Sequence, residues 1–317
     1  MFKIFETARK LREAGVIGLN FRNAAYVQKY NPRQFYPRAD DKLLSKELAH
    51  KAGIAVPILY QAVHSQSHLK DKIDEILALE SFVIKPVHGS GGQGVMVVAS
   101  KNEQGHVTVS GHQLTPADIK FHLSNVLSGL YSLGGLPDSA MVEERVVFDP
   151  VFEKVAFRGV PDIRVITFLG VPVLGMLRLP TKASDGKANL HQGAIGTGID
   201  IATGLTTSAV HRRSEITHHP DTKEILRGIQ IPNWDKILNI AARSMDLTGL
   251  GYQGIDIVLD LNRGPLLLEL NVRPGLAIQI ANRKGLANRL AVIEKNKDSL
   301  GDILQRIDFA KKVVSKI

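Results

Sequence analysis

Two acidic side chains and one amide in the C-terminal third of the chain stand where a hard metal ion could be held. Residues 254–275 read GIDIVLDLNRGPLLLELNVRPG, two apolar runs around a polar centre. With Asn262 and Arg263 as the two-residue tip of a regular hairpin, Asp256 falls directly opposite Glu269. Opposed side chains have Cβ atoms about 4.5–5.5 Å apart, where like charges repel unless something neutralises them. A divalent cation is the obvious neutraliser. Asn271 follows Glu269 by two residues and shares its face. Ile255, Ile257, Leu259, Leu266, Leu268 and Leu270 collect on the other face, and Val258 with Leu267 is the next pair along from the acids. Carboxylate and amide oxygens are hard ligands that suit Mg²⁺ (or Mn²⁺) bound jointly to substrate phosphates. The plainer alternative is a hairpin with one polar face.

A second stretch, FVIKPVHGSGGQGVMVVAS from Phe82 to Ser100, offers phosphate chemistry. Gly89, Gly91 and Gly94 fit two phosphate-binding patterns. A Walker A loop needs Lys and Ser or Thr directly after its last glycine, and here Val95 and Met96 follow. A dinucleotide-binding turn must open a helix, whereas VMVVAS is β-branched and strand-like. What remains is a β-hairpin loop of exposed backbone N–H groups, able to fold over phosphates as a lid. A mobile hairpin with no ligand is the bland reading. Lys85 on the preceding apolar strand argues against it, since a buried lysine is costly without an anionic partner.

These groups need elements to hold them. Phe2 to Arg12 has a short helical pattern, and NFRNAAYVQKYNPRQFYPRADD after it has no clear period. Asp41 to Ala52 reads as a helix stopped by Gly53. A strand near Ile58 to Val63 and a helix from about Leu69 to Ala78 precede the glycine loop with its flanking strands. Helices at Pro116 to Leu127 and Trp234 to Met245 bracket a β-rich stretch from Met141 to Val210. The hairpin follows, and then a terminal helix in which Ile303, Leu304, Ile307, Ala310, Val314 and Ile317 share helical spacing. The pattern is that of an α+β protein.

Composition narrows the function classes. With 317 residues and 44% hydrophobic content the chain can bury a sizeable core. There is no cysteine, which removes disulfides, thiolate metal sites and a cysteine nucleophile. No window approaches a membrane span and the first residues lack a signal-peptide core, so a soluble, cytoplasmic protein is expected and an integral membrane protein is not. The formal charge of +9 is spread along the chain and aromatics are only 6%. That distribution argues against nucleic acid as partner and for anionic substrates.

DKLLSKELAHKAGIAVP, FVIKPVHGSGGQGV, MVEERV, PDIRVITFLGVPVLGMLR, and GIDIVLD with LLLELNVRPG together resemble the ATP-grasp superfamily in order and spacing. The chain is similar to its alpha-L-glutamate ligase-like, sugar-transferase-associated subgroup, and to the ribosomal-protein glutamate ligases, over about residues 20 to 290. The resemblance implies two α+β subdomains clasping ATP: residues 41–140 with the lysines and lid, and residues 141–317 with the adenine hinge, metal site and substrate loop. Lys42 and Lys85 then look like the phosphate-holding lysines, and Gly89, Ser90, Gly91, Gly92 and Gly94 like the closing loop. Met141 to Val146 resembles the adenine hinge, with Glu143, Glu144 and Val146 beside the base and Asp149 or Glu153 at the ribose. Asp256, Glu269 and Asn271 match the metal ligands. Arg178 matches an arginine near the γ-phosphate, and Asn189, Arg164 and Arg273 are candidates for substrate carboxylates or phosphates.

The implied reaction is attack of a substrate carboxylate on ATP, followed by attack of an amine on the acyl phosphate. The acid is expected to be glutamate-like, and the acceptor a peptide, protein or small amine. An ATP-binding phosphotransferase or regulatory module without ligase activity is the alternative. The family's N-terminal α/β domain has no room in residues 1–40, so a truncated domain is expected, which leaves room for a partner protein that completes the site or for a large substrate. His211, His218 and His219 suggest a metal cluster, but HH before Pro220 in a polar loop reads as plain surface.

Overall fold

Runs rich in apolar and β-branched residues, buried along most of their length in β2, β7, β8 and β12, form two antiparallel sheets that face each other across a cleft. The computed structural model describes residues 9–317 except Ser90, Leu133 and Arg213. The expected helix over Phe2–Arg12 therefore lies mostly outside the described residues, although residues 9–13 are helical.

The first sheet has the order β1-β6-β2-β3-β4-β5. Its strands are β1 (Leu59–Val63), β2 (Phe82–Pro86), β3 (Met96–Asn102), β4 (Gly105–Thr108), β5 (Gln113–Leu114) and β6 (Ala140–Glu143). Helices Gln66–Ala78 and Pro116–Leu127 cover it and bury Leu69, Ile76, Ile119 and Leu123 against Phe82, Ile84 and Val142. Fully burying one such side chain is worth about 1.5–3 kcal/mol. The second helix begins where expected because Thr115 and Asp118 form a reciprocal cap and Pro116 fits the first turn.

The second sheet runs β11-β10-β9-β8-β7-β12-β13. It comprises β7 (Asp162–Phe168), β8 (Val171–Leu179), β9 (Ile195–Ile199), β10 (Thr206–His211), β11 (Ser214–Ile216), β12 (Tyr252–Asp260) and β13 (Gly264–Asn271). Helix Trp234–Thr248 packs Ile237, Leu238 and Ala241 into its core, beside Phe168, Leu177 and Ile257. Two helices absent from the sequence reading, Ala277–Asn282 and Ala287–Lys295, cover the same sheet. The expected terminal helix is Ile303–Lys312 followed by a 3₁₀ turn, with Ala310 and Val314 buried and Leu304 exposed.

The β12–β13 hairpin differs from the regular one at two places. Its tip has three residues, because Asp260 pairs with Gly264. The Asp260 carboxylate accepts from the N–H groups of Asn262 and Arg263, and Gly264 takes a φ of +74° that suits glycine at this position. A bulge between Asp256 and Ile257 then shifts the register back, so that Asp256 does face Glu269. Between the two irregularities the faces exchange: Val258 pairs with Leu266, and Leu267 joins the main core. Leu266 and Val258 instead form a small apolar cluster with Val146, Val160 and Leu268.

Candidate active site

A cavity of about 420 Å³ lies between the sheets. One wall carries Lys42, Lys85, Glu143 and the glycine loop; the other carries Asp162, Arg164, Arg178, Asp256, Glu269 and Asn271.

The lysine wall is built on a helix start and a strand pair. Asp41 caps helix Lys42–Lys51 by accepting from the N–H groups of Leu43 and Leu44, which fixes Lys42 at the first turn. Lys42 Nζ donates to the carbonyls of Gly89 at 2.6 Å and Val87 at 3.1 Å, and lies 3.6 Å from Glu269. Lys85 and Glu143 sit diagonally on the paired strands β2 and β6, where Val83 is opposite Glu143 and Lys85 opposite Met141. Glu143 is the anionic partner that Lys85 requires. Its other oxygen meets Lys46 Nζ at 2.8 Å, and Lys46 also donates to the Pro57 carbonyl. Burial would raise the Glu143 carboxyl, but the two lysines outweigh it and hold the group below its usual range. Sequence reasoning missed Lys46, although it follows Lys42 by four residues and so shares its helix face.

The arginine wall comes from four adjacent strands. Asp162 on β7 is opposite Arg178 on β8, and Arg164 on β7 is opposite Asp256 on β12. Arg164 Nε donates to Asp256 at 2.6 Å. Arg178 donates to Asp162 and, at 2.8 Å, to Asp256. Two buried acids thus balance two arginines, and the charge that neutralises Asp256 is arginine. Burial alone would raise Asp256, but Arg164 and Arg178 hold it at about 2. Burial, opposed by Arg178 and aided by repulsion from Asp256, pushes Asp162 up to about 6. Arg178 stays above its ordinary value, because its two aspartates outweigh burial. Asp162 was missed, though PDIRV places it on the face of Arg164 by the strand's period of two.

Asp162 gives the ligand-free protein a testable pH dependence. Its folded carboxyl titrates near 6 against an ordinary 3.8, so between these values the folded state holds the extra proton and stability falls as pH rises. Urea denaturation across that window should show stability falling more with rising pH, or rising less, in the wild type than in Asp162→Asn. Equal slopes would contradict the assignment.

Glu269 and Asn271 complete the constellation. The Glu269 carboxylate is 32% exposed. Neither it nor Asn271 Oδ1 accepts a hydrogen bond from a described residue, and Asn271 Nδ2 lies 3.3 Å from Asp256. These hard oxygens, free of hydrogen bonds from described residues and beside a carboxylate, fit a divalent cation that keeps most of its other positions for phosphate and water.

The glycine loop lies closed over the cleft. Gly91, Gly92 and Gly94 have positive φ. The Gly91 carbonyl accepts from Asn189 at 2.8 Å and from Gln192 at 3.3 Å, both on the opposite side of the cleft. The Gly94 carbonyl pairs with His122, and Ser90 lies outside the described residues. The remaining expected residues stand apart from the cavity lining. Glu144 pairs with Arg263 and accepts from the Ile58 N–H. Val146 belongs to the small apolar cluster. Asp149 caps the 3₁₀ helix Pro150–Val155, on which Glu153 is exposed, and Arg273 lines a different cavity. His219 corrects the surface reading: it is fully buried, pairs with the Pro180 carbonyl and accepts from the N–H groups of Asp221 and Thr222.

The family described as sugar-transfer associated ATP-grasp matches residues 21–295. A probable alpha-L-glutamate ligase of Maridesulfovibrio salexigens is 27% identical over 82% of this chain and 64% of its own length. Probable alpha-L-glutamate ligase 1 of Shewanella denitrificans is also 27% identical, over 82% and 66%. The chain thus spans just under two thirds of the length of these relatives. A solved D-cycloserine synthetase aligns at 16% identity with a TM-score of 0.46, over 85% of this chain and 73% of that one.

Proposed function

The chain belongs to the sugar-transfer associated ATP-grasp family, and from that premise we propose that it is an ATP-dependent carboxylate–amine ligase. The observation that carries this reading is the pairing of walls in one cleft. Lys42 and Lys85 face Arg178, Glu269 and Asn271 under a glycine loop, which is the cast needed to hold a polyphosphate and neutralise charge as it moves. The relatives' names favour a glutamate-like acid; the proposed acceptor is a peptide, protein or small amine, with a partner protein completing its side of the site. A cytoplasmic location belongs to the same proposal; among the described residues no helix is long and apolar enough to cross a membrane.

In this reading Lys42 exchanges the Val87 and Gly89 carbonyls for nucleotide phosphates, and Lys85 binds them while held by Glu143. Glu269, Asn271 and a free lone pair of Asp256 would hold Mg²⁺, which supplies charge neutralisation for the phosphates. The backbone of Met141 to Val146 reads the adenine beside the Val146, Val258 and Leu266 cluster, with Asp149 or Glu153 at the ribose. Arg178 cannot swing away, because Asp162 and Asp256 fix its guanidinium; it presents a preorganised cation to the transferred phosphoryl group. A substrate carboxylate oxygen bonds to the γ-phosphorus as the bond to ADP breaks. An amine then attacks the carbonyl carbon, loses its proton, and displaces phosphate as the amide forms. Asn189 and Gln192 keep the loop down and exclude water that would hydrolyse the acyl phosphate.

ADP release should require an acid and rise on addition of an amine, with amide detected by mass spectrometry. Release that is indifferent to the amine, with no amide formed, would overturn the ligase reading.

A further inference from the structure

Lysine and arginine occur along the whole chain, but their excess over the acids is uneven. Residues 1–38 hold eight of them against two glutamates, and so carry six of the nine net positive charges. Between Glu13 and Asp40 there is no acidic residue. Large apolar side chains set among these charges are left in solvent: Leu11 is 49%, Leu19 57% and Phe21 55% exposed. In sequence the same mixture begins with Phe2, Lys3, Ile4 and Phe5, which lie outside the described residues.

The fold gathers the three exposed side chains. Residues 9–13 are helical, and the turn that ends this helix has the Leu11 carbonyl accepting from the Val16 N–H at 2.9 Å. Three residues of chain, at most about 11 Å, lead from Val16 to Leu19, which opens helix Leu19–Arg22 with Phe21 on it. The stretch between is fastened to the body of the protein. The Gly15 carbonyl accepts from the Ala287 N–H, and Ile17 exchanges two hydrogen bonds with the Gln279 amide. Leu11, Leu19 and Phe21 therefore belong to one patch on a fixed base.

The charges of this region divide into those the fold uses and those it leaves. Arg22 is buried and donates to the Pro274 carbonyl and to Asn23. Lys29 pairs with Glu294, and Arg38 lies over the Phe35 ring. Arg9 lies 3.6 Å from Glu13 in an exposed pair, of the kind that contributes little. The Arg12 side chain makes no hydrogen bond or ion pair with a described residue. Leu11 stands between Lys10 and Arg12, all three exposed. The core of a protein–protein interface is depleted in charge, whereas a lipid surface takes both groups at once. Apolar side chains enter the boundary between headgroups and acyl chains, and the long cationic ones stay with the phosphates.

We propose that the exposed face of residues 9–21 docks the chain on an anionic membrane surface, with Leu11, Leu19 and Phe21 entering the headgroup boundary and Arg9, Lys10 and Arg12 meeting lipid phosphates. The remaining positive excess of residues 1–38 adds attraction at longer range. The chain lies on the bilayer and does not span it, in keeping with the absence among the described residues of a helix long and apolar enough to cross. None of these side chains lines the cleft, so the proposal holds whichever reaction the cleft performs.

Co-sedimentation of the full chain with vesicles tests it, using neutral phosphatidylcholine vesicles and vesicles in which about one third of the lipid is phosphatidylglycerol. Partition into the anionic vesicles should exceed that into the neutral ones at least about tenfold, and should collapse in about 0.5 M NaCl. Leu19→Ser combined with Phe21→Ser should lower it by about tenfold or more, and Arg9→Gln combined with Arg12→Gln by about ten- to thirtyfold. Both variants should keep the wild-type thermal midpoint and affinity for a nonhydrolysable ATP analogue. Absence of binding, or equal binding to the two kinds of vesicle, would overturn the proposal. Wild-type binding by the serine variant would overturn it too, because the patch would then be a basic surface open to any polyanion. A dimer in solution that the serine substitutions dissociate would assign the apolar patch to a second copy of the chain instead.

Discussion

Asp256→Asn should lower the unfolding free energy by about 3–5 kcal/mol, the cost of removing one partner from a buried ion pair. The substitution keeps the shape of the side chain and deletes only charge. Asp256 is 2% exposed and holds both Arg164 and Arg178. With the charge gone, two guanidiniums buried to 13% and 12% exposure share the single carboxylate of Asp162. The β8-β7-β12 register keeps both arginines opposite these acids. Urea denaturation without nucleotide measures the effect. A midpoint equal to that of the wild type would show that the network is not what stabilises this face of the sheet.

Glu269→Gln should do the reverse, leaving the fold intact and lowering turnover by at least about a hundredfold. Glu269 is directly opposite Asp256, yet its surroundings are different. Its carboxylate is about one third exposed, and its charged neighbour is Lys42 at 3.6 Å, a pairing that at this exposure contributes little to stability. The glutamine keeps the length and one acceptor oxygen but loses the charge that a hard cation and a polyphosphate site demand. Thermal unfolding and ADP formation, measured on one preparation, separate the two effects. A variant that unfolds unaided, or that turns over ATP at the wild-type rate, would remove Glu269 from the metal site.

The two acids that the sequence presents as equivalent partners of one cation therefore sit in different surroundings, one buried between two arginines and one a third exposed beside Lys42, and the reason this was hidden lies in what sequence reading can reach. Glu269 and Asn271 were legible because a strand's period of two is local, and Asp256 because a hairpin pairs residues close in sequence. Even there, the opposition of Asp256 and Glu269 comes from two irregularities that cancel, a three-residue tip and a bulge. The Asp260 to Gly264 spacing signals the first; nothing local signals the second. Arg164 and Asp256 meet because β7 and β12 are neighbours although 92 residues separate the pair, a pairing across the sheet that no local period in either strand announces. Helix Pro116–Leu127 was legible to its ends, since its cap is written in adjacent residues. Residues 19–35 were not, because a π-turn and a 3₁₀ turn break the 3.6-residue repeat that would have announced a helix.

The fate of a carboxylate oxygen distinguishes acyl-phosphate chemistry from every other use of ATP in this cleft. An acid co-substrate labelled with oxygen-18 in its carboxyl group is incubated with the full chain, Mg²⁺, ATP and an amine, and the released phosphate is examined by mass spectrometry. Activation as an acyl phosphate places one carboxylate oxygen on the γ-phosphorus, and it leaves with phosphate when the amine forms the amide. Phosphate carrying a single heavy oxygen, in step with amide and ADP, is the expected result. Unlabelled phosphate, or label recovered in AMP, would contradict the proposed ligase mechanism.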